Sequence, residues 1–219
     1  MEKSNLRLSD GLIRQNIVLM SGIAIAPVAA RANTFENGLA LAFAFTLVAF
    51  FSIFICRLIP KKIVYTIRVI IYALIAGVVL IPVHLLVTLV FGEAMTAGLG
   101  LYLPILAVNP LILTKTETRF CLRPIHIMMV ELLGYIAGFN VVCILVGLLR
   151  DIFVNGRIGW MTVDLGFHIP AIETTFGGLI VVGVMAGLFR ALYNRSKQIK
   201  AKKLEKERRR QELIREVAQ

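Results

Sequence analysis

Charge is what this chain has least of. Only 17% of its 219 residues are Asp, Glu, Lys or Arg, against 58% hydrophobic, and mean hydropathy is +0.82. A soluble domain of this size carries about 25% charged residues to hydrate its surface. That shortage excludes a cytosolic enzyme and a disordered chain, and makes this an integral membrane protein. Cysteine is scarce too. Cys56, Cys121 and Cys143 form no C-x-x-C pair, so neither a disulfide scaffold nor a zinc site is expected, and the three read as small hydrophobes. There is one tryptophan, Trp160. No residue pattern makes a nucleophilic triad, a phosphate-cradling loop or a metal cluster, so no catalytic residue and no metal site is assigned.

Negative charge is the scarcer sign, at 13 Asp and Glu against 24 Lys and Arg, a net +11. Most of that excess is local. Residues 190–219 hold eleven Lys/Arg and four Glu. A basic segment after a final span points to membrane orientation and anionic lipid rather than nucleic acid, since no recognition fold accompanies it. From Ser196 onward it reads as an exposed helix, with Glu205–Arg209 and Gln211–Arg215 at i,i+4 spacing.

What is abundant is long apolar runs. Charge-free stretches predict six spans: Gln15–Ala30, Asn37–Cys56, Val69–Gly92, Ala94–Thr114, a fifth between Arg123 and Arg150, and Thr174–Phe189. A straight helix needs about 20 apolar residues to cross, so the first and sixth must tilt, break or snorkel. Ala30-Arg31-Ala32 resembles a signal-cleavage site, but cleavage would leave an odd number of spans and is set aside. With six spans, one side collects 21 Lys/Arg and the other only Arg31, Arg150 and Arg157. The positive-inside rule then makes both termini cytoplasmic and the 150–173 loop external, with Trp160 as an interfacial anchor. The organisation is a cytoplasmic segment 1–14, a six-span domain 15–193 and a basic helical tail 194–219.

Spans one and four share an interruption. The first reads GIAIAPVAARAN from Gly22, with Pro27 inside it. The fourth reads GLGLYLPILAVNP from Gly98, with Gly100, Pro104 and Pro110. Proline frees a helix carbonyl, and in lipid that carbonyl needs a protein or water partner. Two three-span halves, each opening on a broken helix, are the sign of an inverted repeat. Ordinary proline kinks are the plainer alternative. The fold expected is therefore all-α, with six spans in two inverted repeats.

Few ionisable groups lie inside the spans. Glu131 sits about two turns into span five. A carboxylate there costs a few kcal/mol, and reads either as a cation or proton site or as an interfacial acid paired with Arg123 or His126. His84 follows Pro82 in span three, as a proton relay or as a histidine bonded to a neighbouring helix. Asn109, before Pro110, can offer an amide and free carbonyls to an ion. Arg150-Asp151 closes span five as an external ion pair or a cap.

These segments carry a resemblance. GIAIAPVAA from Gly22, NGLALAFAFTLV from Asn37, LGLYLPILAVNPLIL from Leu99 and VGLLRDIFVNG from Val146 resemble the Rnf/Nqr membrane subunits over about 10–193. The chain looks most like the E-type member of Rnf complexes and its D-type counterpart in Nqr. The resemblance implies an inner-membrane subunit of an ion-translocating electron transport complex, working beside an inverted-topology six-span paralogue. It also implies a 2Fe-2S cluster shared by the two, with one cysteine from each broken helix. In register those positions are Ala26 and Pro110, which cannot ligate iron, so no cofactor is expected for this chain. Glu131 falls where the family carries an acid, and His84 where many members carry an acid or amide. A cofactor-free small transporter and an assembly protein are the alternatives.

Overall fold

The computed structural model describes residues 16–158, 161–162 and 168–217. Trp160 and the segment 1–15 lie outside them. Apart from a hairpin of two residues per strand, Arg157–Ile158 with Met161–Thr162, the described residues are helical or in short connecting turns.

Among the described residues, four helices are long and apolar enough to cross a bilayer. They are α2 (Phe35–Cys56), α3 (Tyr65–Phe91), α7 (Ile125–Asn155) and α8 (Thr175–Val217). A fifth crossing arises if the pair Glu93–Leu99 (α4) and Tyr102–Leu122 counts as one span, bent by 65°. That second part comprises α5 (Tyr102–Ala107), a π-helical turn Leu111–Lys115, the short α6 (Thr116–Thr118) and a 3-10 turn Phe120–Leu122. The first expected span is a turn at 16–21 followed by the seven-residue α1 (Ile25–Arg31).

α2 and α7 form the centre. Their glycines make the crossing possible: a Cβ on Gly38 would stand 2.6 Å from the Cys143 carbonyl oxygen, and one on Gly147 2.5 Å from that of Thr34. Between them Phe45 and Phe139 stack at 3.9 Å. α3 and α8 lie at the periphery and turn Leu74, Ile81, Leu85, Phe176, Val184 and Leu188 outward, with Leu89 82% exposed. In water such faces are prohibitive; against lipid or another membrane subunit they are not.

The short helices pack reciprocally. α1 lies against α8, α5 lies against α3, and α1 and α5 touch each other. α8 continues without a break past residues 193 and 194 to Val217. Nothing between Leu188 and Val217 is Gly or Pro, and Lys, Glu, Arg and Gln are good helix formers. The tail is thus a continuation of the last span, carrying the expected Glu205–Arg209 pair at 2.8 Å.

Candidate functional site

The two broken segments are built alike. Before α1, Gly22 takes φ 69° and Ala24 φ 61°; before α5, Gly100 takes φ 48° and ψ −127°. The last combination is accessible in practice only to glycine. Pro27 and Pro104 are each the third residue of their short helix, in the first turn, where a missing N–H costs little. Ala26 and Pro110 are both exposed on this chain.

Asparagines cap the exposed backbone. Asn109 is buried; its Oδ1 accepts from the Leu111 N–H at 2.9 Å, and its carbonyl accepts from Ile112 and Leu113. It spans Pro110 and starts the π-helical turn. Asn16 does the same at the other break, accepting from Val18 and Leu19 at 3.0 Å, while its Nδ2 donates to the Gly138 carbonyl at 2.9 Å. Asn16 escapes a reading of the sequence because no charge or proline marks it.

α7 carries an ionic centre near each end. Near its start, Glu131 is 7% exposed. Arg119 grips it with two bonds, Nε to Oε2 at 3.1 Å and Nη2 to Oε1 at 3.0 Å. Arg123 Nε stands 3.6 Å from Oε1. Of the two partners expected for Glu131, Arg123 is there; Arg119, which the sequence marks only as a loop cation, holds the bidentate bond. Lys115, Thr118, Arg119, Leu122 and Arg123 line an open cavity of about 590 Å³ beside it. Lys115 Nζ lies 5.4 Å from the centre of the Tyr135 ring.

At the other end of α7, Arg150 is fully buried. Its five N–H groups meet five carbonyls. Nε donates to Ile172 at 3.0 Å, Nη1 to Ala29 at 2.8 Å and Ala32 at 3.1 Å, and Nη2 to Glu173 at 2.6 Å and Thr174 at 3.1 Å. Every donor of the guanidinium is used. Asp151 takes other partners: Oδ2 accepts from the Phe35 N–H at 3.4 Å and Oδ1 from Asn155 Nδ2 at 2.8 Å. The two side chains do not pair with each other, because each serves a different helix end. The cation meets the carbonyl end of α1 and the carboxylate meets the amide end of α2, as their dipoles require. Consecutive residues thereby clamp both sides of the α1–α2 turn. Gly178 is part of this contact, since a Cβ there would collide with the Ala29 carbonyl.

His84 stands exposed on the outer face of α3, its carbonyl accepting from Thr88 Oγ1 at 2.9 Å. It belongs to neither ionic centre. A third polar group goes beyond what the sequence led us to expect. Arg68 pairs with Glu117 and donates to the Lys61 carbonyl, and Tyr72 OH donates to Glu117 at 2.8 Å. The signal for it is Arg68 and Tyr72 four residues apart on one helix face.

A family model described as Rnf-Nqr subunit, membrane protein, matches residues 5–193. The chain is 24% identical to the E component of the proton-translocating ferredoxin:NAD(+) oxidoreductase complex of Clostridium ljungdahlii, over 90% of this chain and 92% of that protein. It is 27% identical to the E component of an ion-translocating oxidoreductase complex of Sodalis glossinidius, over 72% of this chain and 68% of that one. For the E component of the ion-translocating oxidoreductase complex of Yersinia pestis strain Pestoides F the figures are 26%, 80% and 78%. The chain belongs to the Rnf-Nqr family of membrane subunits.

Proposed function

We propose that this protein is an integral subunit of an ion-translocating electron transport complex of Rnf/Nqr type. It sits in the inner membrane as six spans, in two inverted three-span halves, with both termini cytoplasmic. Its partner is an inverted-topology six-span paralogue. The observation that carries this reading is the reciprocal packing of the halves: α1 on α8, α5 on α3, and α1 on α5. A two-fold exchange of the halves maps this pattern onto itself. Arginines repeat it. Arg150, at the end of α7, donates to Ala32 after the first broken segment, and Arg57, at the end of α2, donates to Phe120 after the second at 2.9 Å.

Ala26 and Pro110 bear on the redox role. They stand at the positions that the resemblance gives to the cluster ligands, and neither side chain has a donor atom. Cys56 and Cys143 are buried on α2 and α7, and Cys121 is half-buried beside Tyr72. This donor set does not fit an iron–sulfur cluster, so no electron step is assigned to this chain, and its own ligands are proposed to be lost. Glu131 is the proposed contribution to the ion path; His84, turned outward on α3, and Asn109, whose oxygens cap the turn after Pro110, are left out of it. The absence of donors at Ala26 and Pro110 favours one second reading, a cofactor-free relative acting alone as a small ion transporter.

The test is complementation. Membrane vesicles from cells lacking the chain should lose electron-driven cation uptake and regain it with the wild-type chain. Uptake that never depended on the chain would refute the assignment. An electron-paramagnetic signal from a stoichiometric reduced cluster in the purified chain would refute the loss of ligands.

A further inference from the structure

We infer that the groove formed by Lys115, Arg119 and Arg123 binds the phosphate of an anionic lipid headgroup. Three cations face this groove, with one carboxylate, Glu131, beside it. That leaves two positive charges in excess. Glu131 grips Arg119 by two bonds and draws in Arg123. The arginines are therefore ordered before any ligand arrives, which lowers the entropy lost on binding. A planar guanidinium suits phosphate better than a mobile ammonium does.

Position selects lipid over a soluble phosphate. α7 starts at Ile125 and runs for 31 residues, about 46 Å, against a hydrocarbon layer of about 30 Å. Several turns therefore lie outside that layer, and the cations at 115, 119 and 123 favour the start of α7 at the headgroup level. Leu122, on the groove wall, is 66% exposed, and Ile125 is 50% exposed. An apolar rim beside a cationic floor fits a ligand with an acyl chain and a phosphate, and leaves a free phosphate with nothing for the rim to bury.

The purified full-length chain in neutral detergent, titrated with phosphatidylglycerol and followed by native mass spectrometry, tests this. The double variant Lys115→Gln/Arg123→Gln keeps the Arg119–Glu131 pair. Two juxtamembrane charges are expected to weaken lipid retention roughly thirty-fold, about fivefold each. Lys115→Gln alone should show about fivefold, which keeps the test usable if the double variant folds poorly. Arg157→Gln, on the hairpin beyond the far end of α7, should leave retention unchanged, and phosphatidylcholine should bind far less. Unchanged retention in the groove variants, or an equal loss in Arg157→Gln, would overturn the inference. Displacement of the lipid by equimolar inorganic phosphate would show that the acyl chain adds nothing, and would overturn the choice of lipid. Loss of a co-purifying subunit with unchanged lipid would assign the groove to protein and overturn it as well.

Discussion

The two ends of α7 handle a buried charge in opposite ways. Arg150 is neutralised by dipoles alone, with five carbonyls from two chain segments converging on one guanidinium. Glu131, roughly 28 Å away along the same helix, is held by formal charges, and its arginine partners retain 22% and 32% side-chain exposure. The first arrangement has no unused donor and no route for exchange. It ties α1 to α7 and to the 3-10 turn before α8, and its role is to close the fold. The second is a carboxylate beside an open, cation-lined cavity, held by side chains that line it. One helix thus carries a cation saturated by carbonyls at one end and, at the other, a carboxylate whose arginine partners stay partly open.

Breaking the fixed end should cost most. Arg150→Met takes the donor from five carbonyls, of which those of Ala29 and Ala32 are buried. Each buried carbonyl left unpaired costs about 1–3 kcal/mol, so little monodisperse protein should survive size-exclusion chromatography in detergent. Arg150→Lys supplies only three donors and should fall between the two. Gly147→Leu attacks the same end through packing, by driving a side chain into the Thr34 carbonyl. An overpacking penalty of about 1–3 kcal/mol is expected, read as a lower midpoint in thermal unfolding. Glu131→Gln keeps an acceptor for Arg119, and both arginines can turn to solvent. Stability should change by only about 1 kcal/mol while electron-driven cation uptake falls sharply; wild-type uptake by this variant would leave Glu131 a structural acid. Tyr72→Phe, at the third polar group, should cost about 1 kcal/mol for one hydrogen bond and leave uptake intact. An uptake defect there would show that the functional charge is not confined to the Glu131 end.

Much of the fold is legible because lipid imposes a simple rule: long runs without charge become helices. α2, α3 and α7 follow from that rule to within a few residues. The breaks near Gly22 and Gly100 follow from glycine and proline chemistry. The helical tail is legible too, and joins the last span as one helix because helix propensity carries α8 through the charged residues. The site is less legible. Glu131 stands out as a carboxylate in an apolar run, but its main partner, Arg119, comes from beyond a 3-10 turn and meets it only when the chain folds back. Arg150 and Asp151 are visible as adjacent charges. Their division between two helix ends is not, because the carbonyls of α1 and the amides of α2 leave no mark on side-chain chemistry. His84 is conspicuous by type alone; the fold turns it outward on α3, away from both centres.

The most direct test of the central claim is purification of the full-length chain from its native membranes in mild detergent, with mass spectrometry of whatever remains bound. Membership of a working complex predicts stoichiometric recovery of other Rnf/Nqr-type subunits, among them a second six-span protein of inverted topology. Recovery of the chain alone, from membranes in which those subunits are present, would contradict it.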